Sequence, residues 1–287
     1  MRLPLALCAI ALTACSPGVP DVREAFIVAH PDDWQLFMGD RAIRSIGAGH
    51  QVTLVVLSGG GADRPAAYWQ ARERGATRSL VSAVALARVR TVERQPTCAP
   101  WAIAAHVVHR CVFGPAQIIF FRLPDGKPDG NGFLATRLQS LAKLGSARES
   151  GIDAIDGSAR WQDWPTLAQG VRAAITDDGR ASIRMIHAHD PDRTINPIDH
   201  SDHRAAGLLA LELSQSLRVA ATVYQGYSIM RRADNLPDSV AGMKAALFMV
   251  YDRIRMDADV TWGAYCDNPT AHAAYLFRTY ARNVMPK

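Results

Sequence analysis

The chain holds no Cys-x-x-Cys and no Cys/His pair at zinc-finger spacing, and its 9 histidines are scattered rather than gathered in a tract. A structural metal site of the cysteine-rich kind is thereby excluded. No long biased tract is present either, which removes disordered, fibrous and coiled-coil readings. The most apolar stretch, Leu3 to Leu12, runs about ten residues, half of the roughly 20 that a membrane-spanning helix needs. Positive charge is thin: the net charge is +5, and beyond the adjoining Arg231 and Arg232 the arginines are isolated. Nucleic acid is not an expected partner, because its recognition normally takes cationic charge concentrated on one face. What remains is a chain of 287 residues, 48% hydrophobic and 21% charged, long enough to bury a large core. A length of this order fits about two domains or one α/β unit.

The N-terminus reads as an export signal. Arg2 supplies a short positive region, Leu3 to Leu12 the apolar region, and Leu12-Thr13-Ala14-Cys15 follows. The last four residues resemble a bacterial lipobox, in which the peptide is cut before the cysteine and the thiol carries lipid. The plainer alternative is an ordinary signal peptide with a chance cysteine. On the lipobox reading, residues 1–14 are the signal peptide, Cys15 is lipidated, 15–22 form a tether, and 23–287 form a single α/β domain with an insertion near 88–116. The protein is then expected in the bacterial cell envelope, anchored to a membrane at Cys15, since several acyl chains hold durably where one is marginal. Cys8 leaves with the signal, and Cys98, Cys111 and Cys266 remain in an oxidising compartment. A Cys98–Cys111 bridge is expected around Pro100-Trp101, with Cys266 left over.

The rest alternates strand and helix. Ala25-Phe26-Ile27-Val28-Ala29 is a continuous apolar run, as a parallel strand covered on both faces requires, and Val52-Thr53-Leu54-Val55-Val56-Leu57 reads as a second buried strand. Residues 34–48 place Leu36, Phe37, Ala42, Ile43 and Ile46 at helical spacing, with Gly47 and Gly49 as stops. Further helices are expected over 66–84, 133–145, 165–176, 203–217 and 239–253, and further strands over 105–113, 117–123, 182–187 and 220–229. This order predicts an α/β fold with a doubly wound, mainly parallel sheet and helices on both faces.

Two polar segments stand out. Ala29-His30-Pro31-Asp32-Asp33 directly follows the first strand, where ligand sites of open α/β sheets form. Asp199-His200-Ser201-Asp202-His203 opens a helix, with His200 and His203 three apart. Each acid could be a plain helix cap or first-turn residue. Together the two segments supply three nitrogen or oxygen ligands and still leave a base over, the make-up of a catalytic zinc site with one open position.

At these residues the chain resembles the PIG-L/LmbE family of zinc-dependent N-deacetylases, which act on N-acetylglucosamine-type compounds. Asp190-Pro191 and Leu123-Pro124-Asp125-Gly126 also look familiar, and the likeness spans roughly 24–229. It implies a Rossmann-like fold, one Zn2+ per chain held by His30, Asp33 and His203, and Asp32 as general base. It further implies that His200 assists the oxyanion or leaving group, with Asp202 orienting its ring and favouring its protonated form. One departure is Trp34, where the family has a small or acidic residue; it bears on the pocket rim and leaves the metal set intact. The implied activity is release of acetate from an N-acetylated amino sugar or glycoconjugate. The alternative is a non-catalytic, surface-anchored glycan-binding protein on the same fold, which has no need for a base beside three ligands.

Arg64 and Arg72, after the Ser58-Gly59-Gly60-Gly61 loop, are candidate substrate contacts. That loop lacks the Lys-Ser/Thr of a phosphate-binding loop. His187 and His189 read as structural or supporting. Trp161, Trp164 and Trp262 read as core or lid packing rather than sugar platforms. His272, Tyr275 and Tyr280 read as a C-terminal helix packed on the domain.

Overall fold

The computed structural model describes residues 22–176, 182–257 and 270–287. Cys15, Trp262 and Cys266 lie outside them, as does the expected signal peptide. β1 (Val22–Val28), β2 (Gln51–Ser58), β5 (Ala116–Leu123), β8 (Ser182–His189) and β9 (Ala221–Tyr224) run parallel, in the order β9-β8-β1-β2-β5. The antiparallel hairpin of β3 (Thr97–Ile103) and β4 (His106–Phe113) extends one side, and antiparallel β10 (Ala281–Val284) closes the other. A short ribbon pairs β6 (Ile152–Asp153) with β7 (Arg160–Trp161). The doubly wound, mainly parallel α/β fold is the one expected.

Alternation along the central strands divides the core. Ala25, Ile27, Val55 and Leu57 face one layer, where α3 (Leu141–Gly145), α4 (Trp164–Thr176) and α5 (Ser201–Leu217) contribute Leu144, Leu167, Val171 and Leu209. Phe26, Val28, Leu54 and Val56 face the other, against α1 (Asp33–Gly47), α2 (Ala66–Leu86) and α6 (Asp238–Asp257) through Phe37, Ile46, Leu80 and Leu247. Burying each Val, Leu, Ile or Phe among them contributes about 1.5–3 kcal/mol, which is why apolar residues fill these runs apart from Thr53. Among the described residues no helix is long and apolar enough to cross a membrane.

Four sequence expectations are corrected. The helix over 133–145 is split: a 3-10 turn at Leu134–Thr136 ends where Arg137 and Leu138 turn left-handed, and Ser140 caps the restart as α3. The strand over 220–229 stops at Tyr224 and gives way to a 3-10 turn at Tyr227–Arg231. Tyr280 is not part of the C-terminal helix, α7 (Thr270–Leu276); it lies just before β10 with Arg232 over its ring. Trp34 is fully buried in the α1 layer, so it is no rim residue. Cys98 and Cys111 stand directly opposite each other on β3 and β4 and form the expected disulfide, sequence separation 13.

Candidate metal centre and active site

The chain steps from β1 to β2 to β5 in one direction, then returns to β8 and β9 on the other side of β1. The crevice outside the carboxyl ends of β1 and β8 is therefore the topological switch point, where open α/β sheets place ligands. Both polar segments end there. His30 leaves β1 and His200 caps α5, so two separate loops meet over the sheet edge.

Plain capping does not account for the acids. Asp32 is the N-cap residue of α1 but its side chain makes no capping bond. Asp33 turns back to accept from the His30 N–H at 2.6 Å. Its Oδ1 then lies 3.0 Å from His203 Nε2, its Oδ2 3.5 Å from His30 Nδ1, and the two imidazole nitrogens are 3.3 Å apart. All three residues are buried.

The far nitrogen of each ring is taken by another carboxylate. Asp202 Oδ2 lies 3.3 Å from His30 Nε2, and Asp199 Oδ1 lies 2.6 Å from His203 Nδ1. Such partners fix ring orientation and leave the inner nitrogens free for a metal. Asp202 is itself held by the Gly126 N–H at 2.8 Å, an approach close enough that a Cβ on Gly126 would overlap the carboxylate.

Charge in the cluster points the same way. Burial alone would lower the imidazole of His203, yet Asp199 and Asp33 raise it to about 9. Burial opposes His30 likewise, and Asp33 and Asp202 lift it well above its ordinary value. Asp33 is driven well below the usual carboxylate range: burial pushes it up, and the two histidines override that. The acids thus demand positive charge between them, and a divalent cation on two imidazoles and one carboxylate meets that demand with the donor set of a catalytic zinc site.

His200 departs from expectation in two respects. Burial and the neighbouring His30 depress its imidazole to about 4, against the pull of Asp202 and Asp125, so the ring is neutral rather than protonated. Its Nδ1 accepts from the Asp202 backbone N–H at 3.1 Å, while the Asp202 carboxylate is aimed at His30 instead. The His200 proton accordingly sits on Nε2, which lies 3.8 Å from Asp125.

Asp199 and Asp125 thus border the site in roles the sequence does not reveal, although they belong to the Asp199–His203 and Leu123–Gly126 segments; spacing alone does not say which imidazole a carboxylate will meet. His189 also reaches the site, its ring centroid 3.9 Å from that of His203, whereas His187 is bound away from it by Glu24 and Tyr224. Arg64 lines a cavity of about 200 Å³ together with Asp125 and Phe133. Arg72 is buried beside Asp32. Trp161 is core, stacked on Phe121 and His106, and Trp164 donates to Glu212.

The chain belongs to the PIG-L family: the family model described as GlcNAc-PI de-N-acetylase matches residues 25–214. No curated protein matches it. Solved structures of similar fold include a deacetylase of the teicoplanin biosynthesis pathway, 14% identical, covering 91% of this chain and 96% of that one at a TM-score of 0.49. An N,N'-diacetylchitobiose deacetylase from Pyrococcus horikoshii is 13% identical, covering 92% and 84% at 0.48. The 4-carboxy-2-hydroxymuconate hydratase from Pseudomonas putida is 15% identical, covering 93% and 97% at 0.43. Likeness at this level decides neither reaction nor substrate, and one of the three is a hydratase.

Proposed function

We propose that the chain is a zinc-dependent N-deacetylase that hydrolyses the acetamide of an N-acetylglucosamine-type sugar or glycoconjugate and releases acetate. Family membership supports the reaction class, and the observation that carries the reading is a buried three-donor cluster with a non-ligating carboxylate, Asp32, beside it. His30, Asp33 and His203 would hold one zinc, which when bound polarises the acetyl carbonyl and acidifies water.

The remaining work falls to this chain's side chains. Arg72 occupies Oδ1 of Asp32, and Oδ2 has no hydrogen-bond partner among the described residues. That oxygen accepts the proton of the attacking water, as general base. Neutral His200 donates its Nε2–H to the oxyanion that develops on the acetyl oxygen. Asp32, now protonated, then delivers its proton to the departing amine as the C–N bond breaks. General acid–base transfer of this kind is worth about 10²- to 10⁴-fold. Arg64, at the mouth beside Asp125, is the candidate substrate contact.

The same reading includes export by residues 1–14, lipid attachment at Cys15, a tether ending where β1 begins, and one α/β domain over 23–287 with the 88–116 hairpin inserted. The Leu12-Thr13-Ala14-Cys15 tetrad supports it, as does the Cys98–Cys111 disulfide, since such bonds persist in oxidising compartments.

One experiment tests both parts. Detergent-solubilised full-length protein, loaded with zinc, is incubated with N-acetylglucosamine, its β-1,4 dimer and N-acetylglucosaminyl lipids. Acetate release from at least one is expected, and none from any would defeat the reading. Cys15→Ala in the same cells should move the protein from the membrane fraction to soluble or uncut forms.

A further inference from the structure

Arg72 is fixed at three points. From α2 its Nη2 donates to Asp32 Oδ1 at 2.5 Å, its Nη1 to the Gly60 carbonyl at 2.5 Å, and its Nε to the Tyr251 hydroxyl at 2.7 Å. Only 7% of the residue is exposed. A side chain whose every nitrogen is engaged and whose body is buried is poorly placed to grip substrate.

The surroundings are shaped around this guanidinium. Gly60 has a left-handed φ of +59°, and a Cβ there would collide with Arg72 Nη1. The glycine loop thus makes room for an arginine rather than a phosphate. Tyr251 comes from α6 and is fully buried; it reaches Arg72 because α2 and α6 close on each other at Gly75, where a Cβ would lie 2.8 Å from the Tyr251 carbonyl. Three separate segments therefore converge to hold one cation against one carboxylate oxygen. An arginine suits this task because its planar fork makes directed bonds and keeps its proton at any working pH, so it restrains the base without competing for the transferred proton.

We propose that Arg72 is a positioning residue that acts through Asp32: it pins Oδ1 so that Oδ2 is presented to the attacking water, and it makes no contact with substrate. The proposal rests on the deacetylase reading and deepens it. Without the pin, the Asp32 carboxylate is free to rotate toward the first-turn N–H groups of α1, which its side chain leaves uncapped here.

The test uses zinc-loaded full-length protein, acetate release from N,N'-diacetylchitobiose, and Arg72→Met and Arg72→Lys in both the natural and the Asp32→Asn backgrounds. Arg72→Met should lower kcat by about 10²-fold, the order that a misplacement near 1 Å costs, with KM and zinc content unchanged. Arg72→Lys should recover at least about tenfold of that, since one directed bond to Oδ1 is restored. In the Asp32→Asn background the further loss should stay under about threefold, because a residue acting through another is non-additive with it. A rise in KM with kcat intact would assign Arg72 to substrate, an equal loss in both backgrounds would sever it from Asp32, and loss of zinc in both variants would make it structural; each overturns the proposal. Crystal structures supply a readout independent of turnover: in Arg72→Met the Asp32 carboxylate should leave its position or split into two conformers, and an unmoved carboxylate overturns the proposal even if no probe is hydrolysed. Wild-type protein that releases no acetate strikes the deacetylase reading alone.

Discussion

The same two strands, β1 and β8, carry two buried polar clusters, and these are finished differently. Within the strands, Glu24 meets His187 Nε2 at 3.0 Å, Arg41 at 2.9 Å, His50 at 3.0 Å and Ser45 at 2.5 Å, and the other His187 nitrogen meets the Tyr224 hydroxyl at 3.0 Å. Both Glu24 oxygens and both His187 nitrogens are satisfied. At the strand ends the second cluster is incomplete: among the described residues His189 has no hydrogen-bond partner on either nitrogen, its Nε2 lying 3.9 Å from Asp33, and Asp202 Oδ1 has none. An unmatched buried polar atom costs about 1–3 kcal/mol. A fold that satisfies one cluster and leaves the other open a few residues along the same strands marks the second as the place where something binds.

The sharpest way to break this comparison is to remove a donor from the open cluster. On the proposed reading of one zinc per chain, Asp33→Asn or His203→Ala should lower bound zinc to under about a tenth, because a structural or catalytic metal is held by its complete donor set, and acetate release should vanish with it. Full zinc retention in both would place the metal elsewhere.

The next effect separates neighbours within the open cluster. Asp32→Asn keeps shape and polarity and removes the base, so turnover should fall by about 10²- to 10⁴-fold with zinc retained. His200→Ala should fall by about 10²- to 10³-fold, the worth of one oxyanion donor, again with zinc retained. Paired metal analysis and acetate assays decide this. Zinc lost from Asp32→Asn and kept in Asp33→Asn would exchange the two roles.

Much of the fold was legible because it rests on burial. The apolar runs of β1 and β2 and the 3.6-residue spacing of α1, α4, α5 and α6 each follow from which faces are covered. The unread elements lack that signal. β10, Ala281–Val284, is a mostly exposed edge strand without apolar alternation, and β3 is exposed over most of its length. Leu134, Leu141 and Leu144 keep helical spacing, but the left-handed turn at Arg137 and Leu138 interrupts it, and nothing in the residue types demands that break. At the site, the ligand candidates came from motif resemblance, and the structure gathers them. The partners of those residues did not come with them. Asp202 adjoins His200's side of the motif in sequence, yet the geometry at the start of α5 sends its carboxylate to His30. The neutral state of His200 is hidden for a related reason: one neighbouring acid is visible in the sequence, whereas burial and the approach of His30 from another loop are not.

The smallest effect should come from the satisfied cluster, and it should be one of stability alone. Burial opposes ionisation of Glu24, but His187, Ser45 and Arg41 together hold its carboxyl well below the usual carboxylate range. Glu24→Gln leaves Arg41, His50 and His187 facing a neutral group. Arg41 is one-third exposed and can turn to water, so the cost should be about 2–4 kcal/mol rather than the upper end for a broken buried pair. Zinc content and acetate release should not change, since the side-chain hydrogen bonds of this cluster stay within Glu24, Arg41, Ser45, His50, His187 and Tyr224. The pH dependence has a definite sign. A carboxyl whose folded pKa is depressed contributes stability that is present above its unfolded value, about 4.3, and is lost as pH falls through the folded value. The stability gap between wild type and Glu24→Gln should therefore be full at neutral pH and narrow as pH falls below about 4. Denaturant titrations at pH 7, 5 and 3.5 measure it. A gap that is absent at neutral pH, or a loss of turnover in folded Glu24→Gln, would dissolve the distinction between the two clusters.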